Sequence, residues 1–209
     1  MYFVDRFDAA MQLRTRLEKY KDKNAVILAV PRGGVPIGYY LAKYFNFPLD
    51  LLMTKKLAHP SNNEYAIGAV GLEDSIVEEM KGVPQDYIEK ETARIHHLLK
   101  ERYKTFMGNK EPLNIQGKIA IAVDDGVATG RTILATIKML RNRKPKKLVV
   151  SVPVASQEAA ARISEEVDEF ICLYTPFPFY GVGRFYEDFS QTTDEEVISQ
   201  PLIMRVIHN

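Results

Sequence analysis

The chain has 209 residues, of which 46% are hydrophobic and 26% are charged, and its formal net charge is +1. This composition is that of an ordinary soluble domain, and the small net charge gives no general attraction to nucleic acid. No apolar run approaches the ~20 residues of a membrane helix, the first residues do not follow the order of a signal peptide, and the one cysteine, Cys172, cannot form an internal disulfide. We therefore expect a single cytoplasmic domain over residues 1–209 that binds neither nucleic acid nor membrane.

Apolar patterns predict alternating helices and strands along the chain. In the first half we expect helices over 6–20, 36–45 and 85–107, and strands over 25–30, 49–53, 66–70 and 75–77. In the second half we expect strands over 119–123, 148–154 and 169–174, and helices over 131–142 and 157–166. The alternation predicts an α/β fold with a mostly parallel twisted sheet flanked by helices. Segments 60–107 and 176–209 interrupt the alternation, and we expect them to form a small hood or flap.

The strand predicted over 25–30 ends in a tight turn that contains Arg32, Gly33 and Gly34. Glycines let a ligand approach the main chain closely, and a guanidinium is suited to binding phosphate. The same residues occur in ordinary turns between a strand and a helix. An anion site and a plain turn therefore both remain open here.

Two lysines, Lys55 and Lys56, follow the strand predicted over 49–53. Cations at the carboxyl end of a strand would offset the charge of an anionic ligand. The polar residues 59–64 predict a mobile loop next to them. The alternative interpretation is a solvated basic turn.

The most informative segment begins where the strand predicted over 119–123 ends in Asp124 and Asp125. These carboxylates are expected at the ligand-binding edge of the sheet. The next seven residues are mostly small, and their N–H groups are suited to surround an anion at the start of a helix; they are Gly126, Val127, Ala128, Thr129, Gly130, Arg131 and Thr132. Carboxylates beside an anion site fit a ligand with both hydroxyls and phosphate, such as ribose 5-phosphate. The alternative is a strand–turn–helix whose acids only cap the helix.

Residues 123–132, Val-Asp-Asp-Gly-Val-Ala-Thr-Gly-Arg-Thr, resemble the phosphoribosyl pyrophosphate (PRPP) signature of the type I phosphoribosyltransferases. The turn at 31–34 resembles that family's pyrophosphate loop, and segments 3–9 and 176–197 resemble a bacterial subgroup whose acceptor is unassigned. One departure is Gly126, which replaces an aliphatic residue or serine and is expected to loosen the start of the loop. Another is Lys55, which replaces an arginine and puts a bidentate contact in doubt.

The resemblance implies roles for these residues. Asp124 and Asp125 would hold the ribose hydroxyls and, directly or through water, a Mg²⁺ ion. Residues 126–132 would bind the 5-phosphate. The pyrophosphate would be received by Arg32, Gly33, Gly34, Lys55 and Lys56. Together with the acid pair, Lys56 is the expected catalytic residue.

The resemblance also implies a PRPP-dependent pentosyltransferase of nucleoside metabolism, which moves ribose 5-phosphate to a nitrogenous base or related acceptor and releases pyrophosphate. The candidates for contact with the acceptor are Glu64, Tyr65, Phe185 and Tyr186, although aromatic residues near a C-terminus also fit a core or a dimer contact. The alternative function is a non-catalytic PRPP-binding regulator on the same fold, and PRPP hydrolysis is a third. A homodimer is left open.

Overall fold

The structure alternates helices and strands as the sequence predicts over most of its length. It is a computed structural model that describes residues 2–77 and 82–199, apart from the side chains of Asn63 and Glu64. The helices are α1 (Arg6–Leu17), α2 (Gly34–Phe45), α3 (Gln85–Met107), α4 (Arg131–Asn142) and α5 (Gln157–Glu166). The strands are β1 (Ala25–Ala29), β2 (Leu49–Leu51), β3 (Lys55–His59), β4 (Asn62–Val70), β5 (Ser75–Val77), β6 (Ile119–Val123), β7 (Lys147–Val154) and β8 (Glu169–Tyr174). Short 3₁₀ turns lie at Glu18–Tyr20 and Val182–Phe185.

Five parallel strands form the central sheet, in the order β2-β1-β6-β7-β8. From β1 the chain first adds β2 on one side and later returns to add β6 on the other. The carboxyl ends of β1 and β6 therefore flank the point where the strand order reverses, which is where open α/β sheets bind ligands. The predicted α/β class with a mostly parallel sheet is confirmed.

Helices cover both faces of this sheet, because successive residues of each strand point to opposite sides. On one face Ile27 of β1 belongs to the same apolar cluster as Leu13 of α1. On the other face Leu28 of β1 belongs to the same cluster as Ile137 of α4. Every residue of β1 is buried, which explains why its sequence is a continuous apolar run. None of the helices within residues 2–77 and 82–199 is both long and apolar enough to cross a membrane.

A second sheet of three antiparallel strands, β3-β4-β5, replaces the mobile loop predicted over 59–64. The turn between β3 and β4 lies at Pro60 and Ser61. Leu57 is buried within β3, while Lys55 and Lys56 in the same strand are exposed. The alternative interpretation of a basic turn is wrong, because Lys55 and Lys56 pair with the end of β4 and belong to a strand. Residues 78–81 and 200–209, parts of the predicted hood and flap, lie outside the described residues.

The N-terminal segment pairs with a late segment of the chain beside the end of β6. Phe3 forms a bridge with Tyr186, and its N–H donates to the carbonyl of Phe185 at 2.7 Å. The N–H groups of Glu187 and Asp188 donate back to the carbonyls of Phe3 and Val4, each at 2.8 Å. These bonds place the start of α1 next to the loop that follows β6.

Candidate active site

Asp124 and Asp125 lie together directly after β6. Oδ1 of Asp124 accepts a hydrogen bond from the N–H of Asp125 at 2.8 Å. Burial, and then the neighbouring carboxylate of Asp125, raise the pKa of Asp124 well above its usual range. Burial also raises the pKa of Asp125, although Arg6 opposes this shift. When ionised, the pair places negative charge at a site with little water, where hydroxyl donors or a cation would stabilise it.

Arg6, the first residue of α1, holds the carboxylate of Asp125. Its Nε and Nη2 atoms both donate to Oδ2 of Asp125, at 3.0 and 2.8 Å. Its Nη1 donates to the carbonyl of Ser190 at 2.8 Å, and its guanidinium lies 4.2 Å from the centre of the Phe189 ring. Arg6, Phe189 and Ser190 were not predicted to belong to the site. The sequence signal for Arg6 was its place in the N-terminal segment that resembles the bacterial subgroup.

The loop at 31–34 lies directly against the acid pair. A Cβ atom at Gly33 would overlap the carboxylate of Asp125, and one at Gly34 would lie 2.7 Å from the carbonyl oxygen of Val123. The two glycines therefore allow the loop after β1 to touch the loop after β6. The peptide bond between Pro31 and Arg32 is cis.

The Arg32 side chain points away from the acids, towards α3 and the C-terminal segment. Its Nη1 atom lies 3.5 Å from Oδ1 of Asp194. Nη2 of Arg102, in α3, lies 3.4 Å from the same oxygen. The main chain of the loop is therefore the part that faces the acid pair.

The loop at 126–130 is held by hydrogen bonds to residues that follow β7 or end it, and several of its side chains are exposed to solvent. The N–H of Val127 donates to the carbonyl of Val154 at 2.9 Å, and Ser156 Oγ donates to the carbonyl of Ala128 at 2.6 Å. Gly130 has a φ of +71°, a conformation that favours glycine, and α4 begins at the next residue. The side chains of four residues in and after this loop remain exposed; they are Ala128, Thr129, Arg131 and Thr132.

Gly126 allows close packing at the start of this loop. A Cβ atom there would lie 2.5 Å from Val182 and 2.9 Å from Val154. The expectation that Gly126 loosens the loop was wrong, because the 3₁₀ turn at Val182–Phe185 packs directly on it.

Cavities lie on both sides of the loop at 126–132. One of about 330 Å³ joins it to the small antiparallel sheet, and its lining includes Thr54, Lys55, Lys56, Thr129, Arg131 and Thr132. Another of about 750 Å³ joins it to the turn at 176–181, and its lining includes Ala128, Thr129, Arg131, Phe177 and Tyr180. The structure therefore brings the two lysines to the same cavity as the loop, although they are distant from it in sequence.

Of the three aromatic residues predicted to contact the acceptor, Phe185 and Tyr186 are closed to a ligand and Tyr65 is exposed. Phe185 and Tyr186 are buried. The Tyr186 hydroxyl donates to the carbonyl of Asp125 at 2.6 Å, so Tyr186 supports the main chain of the site. Phe177 and Tyr180 are instead 84% and 80% exposed and line the larger cavity. Tyr65 is exposed on β4. The side chain of Glu64 lies outside the described residues.

The site offers few protein ligands for a metal ion. Among the described residues, no group of three or more histidine, cysteine or acidic side chains is arranged to hold one. Asp124 and Asp125 supply carboxylates, but Arg6 already occupies Oδ2 of Asp125. Mg²⁺ usually keeps several waters and takes oxygens from its substrate. The residues therefore fit a Mg²⁺ ion that is held chiefly by ligand and water oxygens.

Comparisons with known proteins identify relatives of this chain. Residues 7–178 match the model of the phosphoribosyl transferase domain. Two proteins of Mycobacterium tuberculosis, strains CDC 1551 and H37Rv, are provisionally named phosphoribosyl transferases and are 37% identical over 205 residues. The match covers 94% of this chain and 46% of each relative, so the chain spans about half their length.

Two solved structures extend these comparisons. The crystal structure of TT1426 from Thermus thermophilus has a TM-score of 0.88 and 33% identity, and the match covers 98% of this chain and 99% of that one. A hypothetical protein from Neisseria gonorrhoeae, solved with bound ppGpp, has a TM-score of 0.51 at 14% identity over 100% of this chain and 97% of that one. The second similarity concerns the fold alone.

Proposed function

The chain belongs to the phosphoribosyl transferase family, and on that premise we propose that it transfers ribose 5-phosphate from PRPP to a nitrogenous base or related acceptor and releases pyrophosphate. The observation that carries the proposal is the direct contact between the loop at 31–34 and Asp125. This contact lies at the point where the strand order of the sheet reverses. A ligand with a sugar and two phosphate groups would reach both loops and the acid pair at once.

In this proposal Asp124 and Asp125 accept hydrogen bonds from the ribose hydroxyls. Positive charge develops on the ribose ring as pyrophosphate leaves, and two nearby carboxylates stabilise that charge electrostatically. The main-chain N–H groups of residues 126–132 bind the 5-phosphate at the start of α4, except that of Val127, which already donates to the carbonyl of Val154. The hydrogen bonds that fix Val127 and Ala128 support this role, because a rigid loop needs little reorganisation during the reaction.

Pyrophosphate would be received by the backbone at Gly33 and Gly34 and by the basic residues Lys55 and Lys56. The contact predicted for Arg32 stays a prediction, because its side chain is paired with Asp194. The exposed lysines of β3 share a cavity with Thr129 and Thr132, which supports a position close to the phosphates. Mg²⁺, when bound with PRPP, would neutralise part of the charge on the departing pyrophosphate.

The acceptor, in this proposal, binds in the larger cavity against Phe177 and Tyr180. Aromatic rings stack on planar heterocycles, and two exposed rings that line one cavity offer such a surface. The cavity also borders Ala128 and Thr129 of the phosphate loop. The contacts predicted for Glu64 and Tyr65 stay predictions.

Calorimetric titration with PRPP, with and without Mg²⁺, tests the proposal. We expect saturable binding that Mg²⁺ strengthens, and loss of binding in Asp124→Asn and Asp125→Asn. Asp86→Asn is the matched control, since Asp86 is an exposed acid in α3 that pairs with Lys90 of its own helix. Full binding in both site variants would reject the site.

Release of pyrophosphate in the presence of a panel of bases then tests the reaction. Binding of PRPP without release for any base would favour the regulatory alternative. Absence of PRPP binding to the unmodified chain would reject both functions.

A further inference from the structure

The ion pair between Arg6 and Asp125 differs from the surface ion pairs of this chain. The two side chains are only 12% and 14% exposed, whereas those of Lys90 and Asp86 are 77% and 74% exposed. Because water has little access to this ion pair, each charge depends on the other for stabilisation. Removing one partner would leave the other charge poorly solvated.

Arg6 is fixed on three sides. Two of its nitrogen atoms donate to Asp125, a third donates to the carbonyl of Ser190, and the guanidinium rests near the ring of Phe189. The guanidinium therefore cannot turn away from the carboxylate without losing its other contacts. It holds Asp125 in one orientation.

Both donors go to the same oxygen, Oδ2 of Asp125. A divalent cation at that oxygen would meet the positive charge of Arg6 at close range, which is unfavourable. Oδ1 accepts neither of these two bonds, and the side chain of Asp125 is also hydrogen-bonded to that of Asp124. On the other side, the backbone of Gly33 is packed against the carboxylate.

We propose that Arg6 is a positioning residue that serves as the resident cationic partner of Asp125, so that Asp125 presents Oδ1 to a sugar hydroxyl and is not a ligand of Mg²⁺. The inference rests on the proposed function of this site. It has a specific consequence: the sugar and 5-phosphate part of the substrate binds without Mg²⁺. Only the pyrophosphate part, with its dense negative charge, requires the metal.

Calorimetry on the full chain with two probes, ribose 5-phosphate and PRPP, tests this inference. For the unmodified chain we expect the Kd of ribose 5-phosphate to change less than about twofold when Mg²⁺ is added or chelated, while PRPP binds more tightly with Mg²⁺. In Arg6→Gln we expect the affinity for ribose 5-phosphate to fall at least about tenfold. Added Mg²⁺ should recover part of that loss, because the carboxylate then has no resident cation.

Two further variants separate positioning from folding. Arg6→Lys keeps the charge but loses the second nitrogen donor to Asp125. We therefore expect its affinity for ribose 5-phosphate to lie between that of the unmodified chain and that of Arg6→Gln. Arg94→Gln is the matched control, because Arg94 pairs with Glu91 on the surface of α3, with its own side chain 59% exposed. A purely structural role for Arg6 would lower stability without creating a response to Mg²⁺. If Arg6→Gln does not fold, the Mg²⁺ response of the unmodified chain and of Arg6→Lys supplies the test.

The inference is overturned if ribose 5-phosphate needs Mg²⁺ to bind the unmodified chain, if it does not bind although PRPP does, or if Arg6→Gln binds it unchanged. Each of these results leaves the proposed function intact when PRPP still binds. Failure of PRPP to bind the unmodified chain would instead reject the proposed function itself.

Discussion

Replacing Gly33 with alanine tests the contact between the two loops at the candidate site. Gly33 has a φ of −62°, which alanine adopts without strain, so the effect of the change comes from the added methyl group alone. That methyl group would overlap Oδ2 of Asp125 and lie 3.0 Å from Oδ1. The carboxylate or the start of α2 therefore has to move.

The expected cost can be worked out from these contacts. Adding a methyl group to a well-packed site usually costs about 1–3 kcal/mol. Displacing the carboxylate also disturbs the hydrogen bonds from Arg6, and a hydrogen bond to a charged group contributes about 1.5–3 kcal/mol. Because both donors share one oxygen, we count them as a single interaction. Alanine recovers about 0.4–1 kcal/mol by restricting the unfolded chain, so we expect a net loss of about 1.5–5.5 kcal/mol.

A double-mutant cycle measured by chemical denaturation isolates this contact. In an Asp125→Ala background the overlapping atoms are absent, so we expect Gly33→Ala to cost less than about 1 kcal/mol there. Calorimetry should also show loss of PRPP binding in the single variant Gly33→Ala. Equal losses of stability in the two backgrounds would refute the reasoning, because the methyl group would then be meeting something other than Asp125.

Three further predictions concern other parts of the chain. Burial alone would raise the pKa of Glu169, but hydrogen bonds from Lys147 and its neighbours outweigh it and lower the pKa from 4.5 to about 2. The contribution of Glu169 to the free energy of unfolding should therefore be complete above pH 4.5 and be lost as the pH drops towards 2, and the difference between the unmodified chain and Glu169→Gln, measured by denaturation at several pH values, should shrink over that range. Asp50 is buried and accepts three hydrogen bonds of 2.7 Å, so Asp50→Ala should lower the free energy of unfolding by about 2–4 kcal/mol in urea, and an unchanged midpoint would contradict this. Phe177→Ala and Tyr180→Ala should raise the KM for the acceptor without changing the unfolding midpoint, and an unchanged KM would count against the acceptor site.

The central sheet was predictable because its signals are local. A parallel strand covered on both faces is a continuous apolar run, and β1 and β6 are both of this kind. β3 carried no such signal, since Lys55 and Lys56 are exposed and only Leu57 is fully buried. Its existence depends on pairing with the far end of β4, as Lys55 lies opposite Val70. Whether residues 55–59 form a strand therefore depends on their contacts with β4 in the folded chain, and the residues of β3 alone do not predict it.

The two loops of the candidate site were predictable for a similar reason, and the aromatic residues were not. Glycines in a sequence often indicate close approach of the main chain to a neighbour. Gly33 packs against Asp125, and Gly130 has a positive φ and packs near Ala159. Among the aromatic residues near the C-terminus, sequence alone does not distinguish buried from exposed. The Phe185 ring lies 5.4 Å from that of Phe179, while Phe177, only two residues before Phe179, is exposed.

Arg6 shows why a signature can identify a site without describing it. It lies 119 positions from Asp125 and 184 from Ser190, so no local pattern connects the three. Each main-chain loop that we propose to bind phosphate lies within a short segment of sequence and follows from a short motif. The orientation of Asp125 depends instead on the start of α1 docking against the segment around Ser190, which the bonds between residues 3–4 and 185–188 bring about. Two chains with the same acid pair can therefore differ in which carboxylate oxygen faces the ligand, and that difference is set by residues outside the signature.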